Sequence, residues 1–182
     1  MFRPLRPFAQ NSPLNASQIE VLAKANQLIG SGKPGDAAPL FAQLAQDLSS
    51  NHPRRAANLH ALAAHAYADS AHGQLALGEA RAALTIFLQA NMMGRAPVFY
   101  NNILRKFTQH GMKNAADALQ SEFGGKVGSL PAQGTPGPKV QRGLLPTNCP
   151  KCGAPVRGDS ATWINDQTAE CEYCGSAVRT VS

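Results

Sequence analysis

The first 123 residues of this 182-residue chain contain no cysteine, and aromatic residues make up only 6% of the whole. Charged residues are also sparse, at 15%. No apolar run approaches the ~18 residues that a membrane span requires. The opening stretch, "MFRPLRPFAQNSPLN", has arginines but lacks the apolar segment of a secretion signal, and its three prolines break any amphipathic targeting helix. These absences argue against secretion and membrane insertion, so a cytoplasmic protein is expected. There is no nucleophile elbow, no P-loop, no dinucleotide fingerprint and no paired-carboxylate arrangement. Nothing in the sequence reads as an enzyme.

What remains is enough to fold. Hydrophobic residues make up 43% of the chain, and 182 residues suffice for one ordinary domain plus a small one. Residues 15–123 are rich in alanine and poor in β-branched side chains, which favours helices over strands. "SQIE", from Ser17 to Glu20, has the form of a capping box. Ile19, Leu22, Ala25 and Leu28 then mark an apolar face. A second helix is expected from Asp36 as N-cap, carrying Leu40, Leu44 and Leu48. Pro53 suits the first turn of a third, faced by Leu59, Leu62, Ala63, Ala66 and Tyr67. Gly73 and Gly78 bracket an expected break before a fourth helix through Ala80, Leu84 and Phe87. A fifth spans Val98 to His110, and a sixth spans Asn114 to Phe123, closed by Gly124 and Gly125. Six helices with short turns predict stacked helix pairs whose second members begin near Asp36, Glu79 and Asn114.

Residues 124–147, with six glycines and four prolines, read as a linker that could span roughly 27 Å as a flexible coil. The module that follows can therefore stand apart from the helices or fold back on them. The expected division is an N-terminal arm (1–14), an α-helical domain (15–123), the linker (124–147) and a C-terminal module (148–182).

All four cysteines lie in that module as Cys149, Cys152, Cys171 and Cys174, spaced C-x₂-C-x₁₈-C-x₂-C. Each C-x₂-C turn puts two sulfurs on one side of the backbone, so two turns can converge tetrahedrally on one ion. Gly153 and Gly175 follow the second cysteine of each pair, where a positive φ or a close backbone approach is needed. "ATWI" and "TAEC" flank "NDQ" as a β-hairpin, with "APVR" and "SAVR" as short strands. So small a module cannot support itself by burial alone.

The knuckles "CPKCG" and "CEYCG" resemble those of the zinc-ribbon family over about residues 147–181. The resemblance implies one structural Zn²⁺ held by Cys149, Cys152, Cys171 and Cys174. The knuckles also resemble rubredoxin, in which iron at such a site carries electrons, and a helical domain before such a tail is similar to rubrerythrin. A di-iron bundle needs Glu-x-x-His on its helices, and Glu20, Glu79 and Glu122 have no histidine three residues on, so the rubrerythrin comparison fails. In the helical region "ALTIFLQA", with Ala83, Phe87 and Ala90, and "AAPLFAQL", with Ala37, Phe41 and Leu44, resemble the second helix of a tetratricopeptide repeat. The first-helix signature is missing and the spacing is irregular, leaving an irregular helical bundle as the alternative.

The net charge of +6 invites a nucleic-acid reading. Residues 147–182, however, carry Lys151, Arg157 and Arg179 against Asp159, Asp166, Glu170 and Glu172. Four thiolates on one Zn²⁺ would make the module still more negative, a poor match for phosphate. The positive charge sits in Arg54–Arg55, Arg105–Lys106 and linker residues Lys126, Lys139 and Arg142. His52, His60, His65, His72 and His110 are expected as surface or partly packed residues, and Trp163 as the module's main hydrophobic filler. The expected protein is a mainly α, tetratricopeptide-like scaffold with a small β zinc ribbon, serving as a protein–protein interaction adaptor. A nucleic-acid-associated factor is the alternative.

Overall fold

The structure, a computed structural model, describes residues 13–128, 143–158 and 161–181. Most of the expected N-terminal arm and residues 129–142 of the expected linker lie outside the described residues. Six helices come first: α1 (Ala16–Gly30), α2 (Pro34–Leu48), α3 (Pro53–Asp69), α4 (Gly73–Gln89), α5 (Arg95–Gln109) and α6 (Lys113–Gly128). Three short strands follow, β1 (Thr162–Asn165), β2 (Thr168–Glu170) and β3 (Ala177–Arg179). The chain is thus mainly α with a small antiparallel sheet, as the composition predicts.

Helix boundaries differ from the expected ones for local reasons. The box that starts α1 is Asn15 with Gln18: Asn15 Oδ1 accepts from the Gln18 amide at 2.9 Å, and Gln18 Oε1 accepts from the Asn15 amide at 3.1 Å. Ser17 falls inside the first turn, because asparagine is already a strong N-cap two residues earlier. Pro34, not Asp36, opens α2, since proline at the first helical position loses no hydrogen bond. Asp36 instead places its charge in the first turn. No break separates Gly73 from Gly78: α4 runs through both, and burial of Ala76, Leu77 and Ala80 offsets the ~1 kcal/mol that a helical glycine costs. Helix α6 continues past Gly124 and Gly125 to Gly128, because Val127 is buried against the same core as Leu119 and Phe123.

The helices form three hairpins, α1/α2, α3/α4 and α5/α6. Their interior divides into two apolar clusters. One, over α3 to α6, gathers Leu77, Leu84, Phe87, Phe99, Ile103, Phe107, Leu119 and Phe123. The other joins Leu22, Ala25, Phe41, Leu44, Leu48 and Leu59 of α1–α3 to Cys149, Cys152, Ala154, Cys171, Cys174 and Val178. The C-terminal module therefore folds back on the helices and shares their core, rather than packing a separate one.

Within the module the sheet order is β1-β2-β3, antiparallel throughout, with Ala169 opposite both Trp163 and Val178. The β1–β2 hairpin turns at Asp166–Gln167 as expected, and "SAVR" supplies β3. "APVR" forms only a single bridge, between Asn148 and Pro155. Trp163 is partly exposed, its indole N–H donating to Gly158 O at 3.3 Å. The filler role expected of it falls to Ala154, Ala169 and Val178, each fully buried. A module docked on a larger body takes its apolar cover from that body and can leave its tryptophan outside.

Candidate metal centre

The two knuckles are local copies of one another. Cys149 N–H donates to Ala154 O at 2.8 Å, and Cys171 N–H to Ser176 O at 2.9 Å. Gly153 N–H then returns to Cys149 O at 2.9 Å, and Gly175 N–H to Cys171 O at 2.8 Å. These closures require left-handed backbone at the glycines, with φ of +71° at Gly153 and +75° at Gly175.

The turns bring all four predicted sulfurs together. The Sγ atoms lie within 4.8 Å of one another, and the pairs Cys149–Cys174 and Cys152–Cys171 stand at 3.8 Å. A disulfide needs sulfurs about 2.05 Å apart. Four sulfurs around one tetrahedral ion at about 2.3 Å are separated by about 3.8 Å along each edge. The donor set therefore fits a tetrahedral thiolate-binding ion, and all four cysteines are buried. Ser176 is also buried beside the cluster, where its hydroxyl is placed to donate to the Cys174 sulfur.

Hydrogen bonds led by that from Cys152 lower Cys149, and bonds led by that from Cys149 lower Cys174. The Cys149 bond pushes Cys152 and Cys171 up. Four full charges in this volume require a cation, and a divalent ion supplies it.

The helical body closes the site from outside. Asn26 Nδ2 of α1 donates to Cys152 O at 2.9 Å, while the Leu14 amide donates to Cys174 O at 2.9 Å. The second cysteine of each knuckle is thus tied through its carbonyl to α1 or to the residues just before it. Arg55 of α3 pairs with Glu170 at 2.7 Å, and Asn58 Nδ2 donates to Glu172 O at 3.3 Å. Arg95 of α5 bonds Glu172 and also Asn58 Oδ1, the latter at 2.8 Å. A Cβ at Gly175 would lie 2.2 Å from Arg55 Nη2 and 3.0 Å from Pro13 Cα. Gly175 is therefore required both by its φ and by the close approach of the helical body. The negative module meets two guanidinium groups, which stabilise its excess charge.

The basic pairs singled out in the sequence are split by this arrangement. Arg55 is buried, whereas Arg54 is exposed. Lys106 Nζ contacts both carboxylate oxygens of Asp69 at 2.7 Å, and Arg105 bonds Asn102 at 3.0 Å. His60 is buried and its Nδ1 lies 2.6 Å from Glu79 Oε2, a degree of burial the sequence did not predict. His65 packs edge-on against Phe99 and is lowered to about 4, first by burial and then by Lys106.

Sequence reasoning missed Asn26, Asn58 and Arg95, and took Arg55 for surface charge. One signal was available: Arg55 and Asn58, three apart, fall on one side of an alanine-rich helix. Their acidic partners lie more than a hundred positions away, where no spacing rule connects them.

No protein-family model, no curated protein and no solved structure matches the chain. The site geometry therefore carries the functional reading unaided.

Proposed function

We propose that the protein is a non-catalytic, zinc-dependent protein–protein interaction adaptor: a tetratricopeptide-like array of three helix hairpins with a zinc ribbon docked on it. The observation that carries this reading is the buried group of Cys149, Cys152, Cys171 and Cys174, with sulfurs at tetrahedral spacing. Four thiolates close the coordination sphere, leaving no position for a substrate or an activated water. One Zn²⁺ bound there does structural work. It supplies on the order of 10–16 kcal/mol of apparent folding free energy to a module with little core of its own.

The adaptor role rests on the helical hairpins, whose first members line up along one side, an architecture that offers extended surfaces to partners. The ribbon lies on that side, so one partner in the groove and another on the ribbon cannot be held as two independent events.

Elemental analysis of the purified chain tests the metal: one zinc per chain and no colour are expected. Stoichiometric iron with visible thiolate-to-iron absorption would overturn the structural-zinc reading in favour of electron transfer. Affinity purification of the intact chain at 50 and 200 mM salt tests the partner class. A protein partner should be retained with roughly tenfold loss or less, whereas a nucleic acid held by 6–10 phosphate contacts loses about 10³–10⁵ over that range.

A further inference from the structure

The first helices of the three hairpins present four polar side chains to the module: Asn26 of α1 to the first knuckle, and Arg55 and Asn58 of α3 with Arg95 of α5 to the second. The module answers with two carboxylates, Glu170 and Glu172, two residues apart around Cys171. Arginine suits this task because its guanidinium stays charged and meets a carboxylate with directed hydrogen bonds. Arg55 and Glu170 keep side-chain exposures of only 6% and 17%, so the recognition is desolvated and depends on both partners being present.

The two sides of this contact are not held by the same forces. Helices α3 and α5 are anchored in the second apolar cluster through Ala57, Ala64, Phe99, Ile103 and Phe107, and none of the described module residues belongs to that cluster. The module has strands of four, three and three residues, and its buried side chains are the four cysteines with Ala154, Ala169, Ser176 and Val178. Loss of the ion would remove the module's fold and uncover Ala56, Leu59 and Ala63 of α3, while the second cluster would still hold α3 and α5.

We propose that the face formed by α3 and α5 is a docking surface for an acidic segment of a partner protein, one presenting two carboxylates two residues apart, and that the metal-loaded module masks it. The proposal rests on the adaptor reading and adds the site, the partner chemistry and the gate. Tethering gives the module an effective concentration on the order of millimolar. A free acidic segment of ordinary affinity is outcompeted while the module is folded. Metal release unfolds the competitor and leaves Arg55 and Arg95 open to the partner's carboxylates.

The probe is a fluorescent peptide with the sequence of residues 168–173, carrying serine in place of Cys171. Anisotropy is measured with the full-length chain, metal-loaded and chelator-stripped, and with the Cys174→Ser variant, which loses a ligand without chelator. Binding at least tenfold tighter to the stripped chain and to Cys174→Ser is expected, together with loss of binding when both peptide glutamates become glutamine. The peptide substitution leaves the protein untouched, so it reads the carboxylate requirement even if an Arg55→Glu, Arg95→Glu chain does not fold. Equal binding to loaded and stripped protein, equal binding of the glutamine peptide, or loss of the helical circular dichroism on stripping would each overturn the proposal. Those outcomes leave the adaptor reading standing on another surface, whereas failure to capture any cellular partner weakens that reading without touching the peptide result.

Discussion

The two apolar clusters differ in what completes them. The one over α3–α6 is built wholly from helical side chains, with Phe87, Phe99, Phe107 and Phe123 as its large members. The one over α1–α3 counts four cysteines, Ala154 and Val178 of the C-terminal module among its buried residues. One end of the molecule is therefore a conventional helical core, and the other is finished by the four-cysteine module that comes last in the chain. Cohesion at the α3–α6 end rests on burial of helical side chains; at the α1–α3 end it also rests on the four buried cysteines. A single helical array can thus contain two regions of different stability, joined through α3, which contributes to both.

Removing the metal should break the comparison most visibly. With on the order of 10–16 kcal/mol withdrawn from the module, the α1–α2 end loses its cover while α4–α6 keep theirs. Amide hydrogen exchange should show protection around Leu22 and Phe41 falling by about 100-fold or more, with that around Leu84, Ile103 and Phe107 little changed. Uniform loss along all six helices would mean that the two clusters unfold as one.

Ion pairs from the two ends sharpen the contrast. Arg55→Ala leaves Glu170 in a mostly buried site without its guanidinium and should cost about 3–5 kcal/mol in urea unfolding of the metal-loaded chain. Arg81 and Glu122 form a pair of similar length, 2.6 Å, but with side chains 45% and 40% exposed. Arg81→Ala should cost less than about 1 kcal/mol. Similar losses for both would show that the arginine–module contact is open to water in solution.

The helical end should have an acid sensitivity of its own. Burial holds His65 neutral, at about 4 rather than 6.5. Because the folded value is the lower one, the unfolded chain binds the proton more readily. The contribution is fully present above about pH 6.5 and is lost as pH falls toward 4, amounting to about 3 kcal/mol in all. Thermal unfolding of the metal-free Cys174→Ser chain separates this effect from acid-driven metal release. Its midpoint should fall between pH 7 and 4.5, and His65→Leu should flatten that slope. An unchanged slope would assign the acid sensitivity to other groups.

The sequence by itself determined the local features. The scarcity of β-branched residues and the alanine-rich periodicity specify helices through residue 123, and C-x₂-C followed by glycine specifies each knuckle, down to the positive φ at Gly153 and Gly175. Both features depend on interactions within a few residues, and those are written in order along the chain. Tertiary structure decided where α6 ends, because Val127 finds a buried place that its glycine neighbours do not announce. It also turned Trp163 outward and Arg55 inward, and packed the C-terminal cysteines into the apolar cluster of α1–α3. Each of these outcomes depends on a partner more than a hundred residues away or on another helix, and burial or charge pairing at such separations exists only once the chain has folded back on itself.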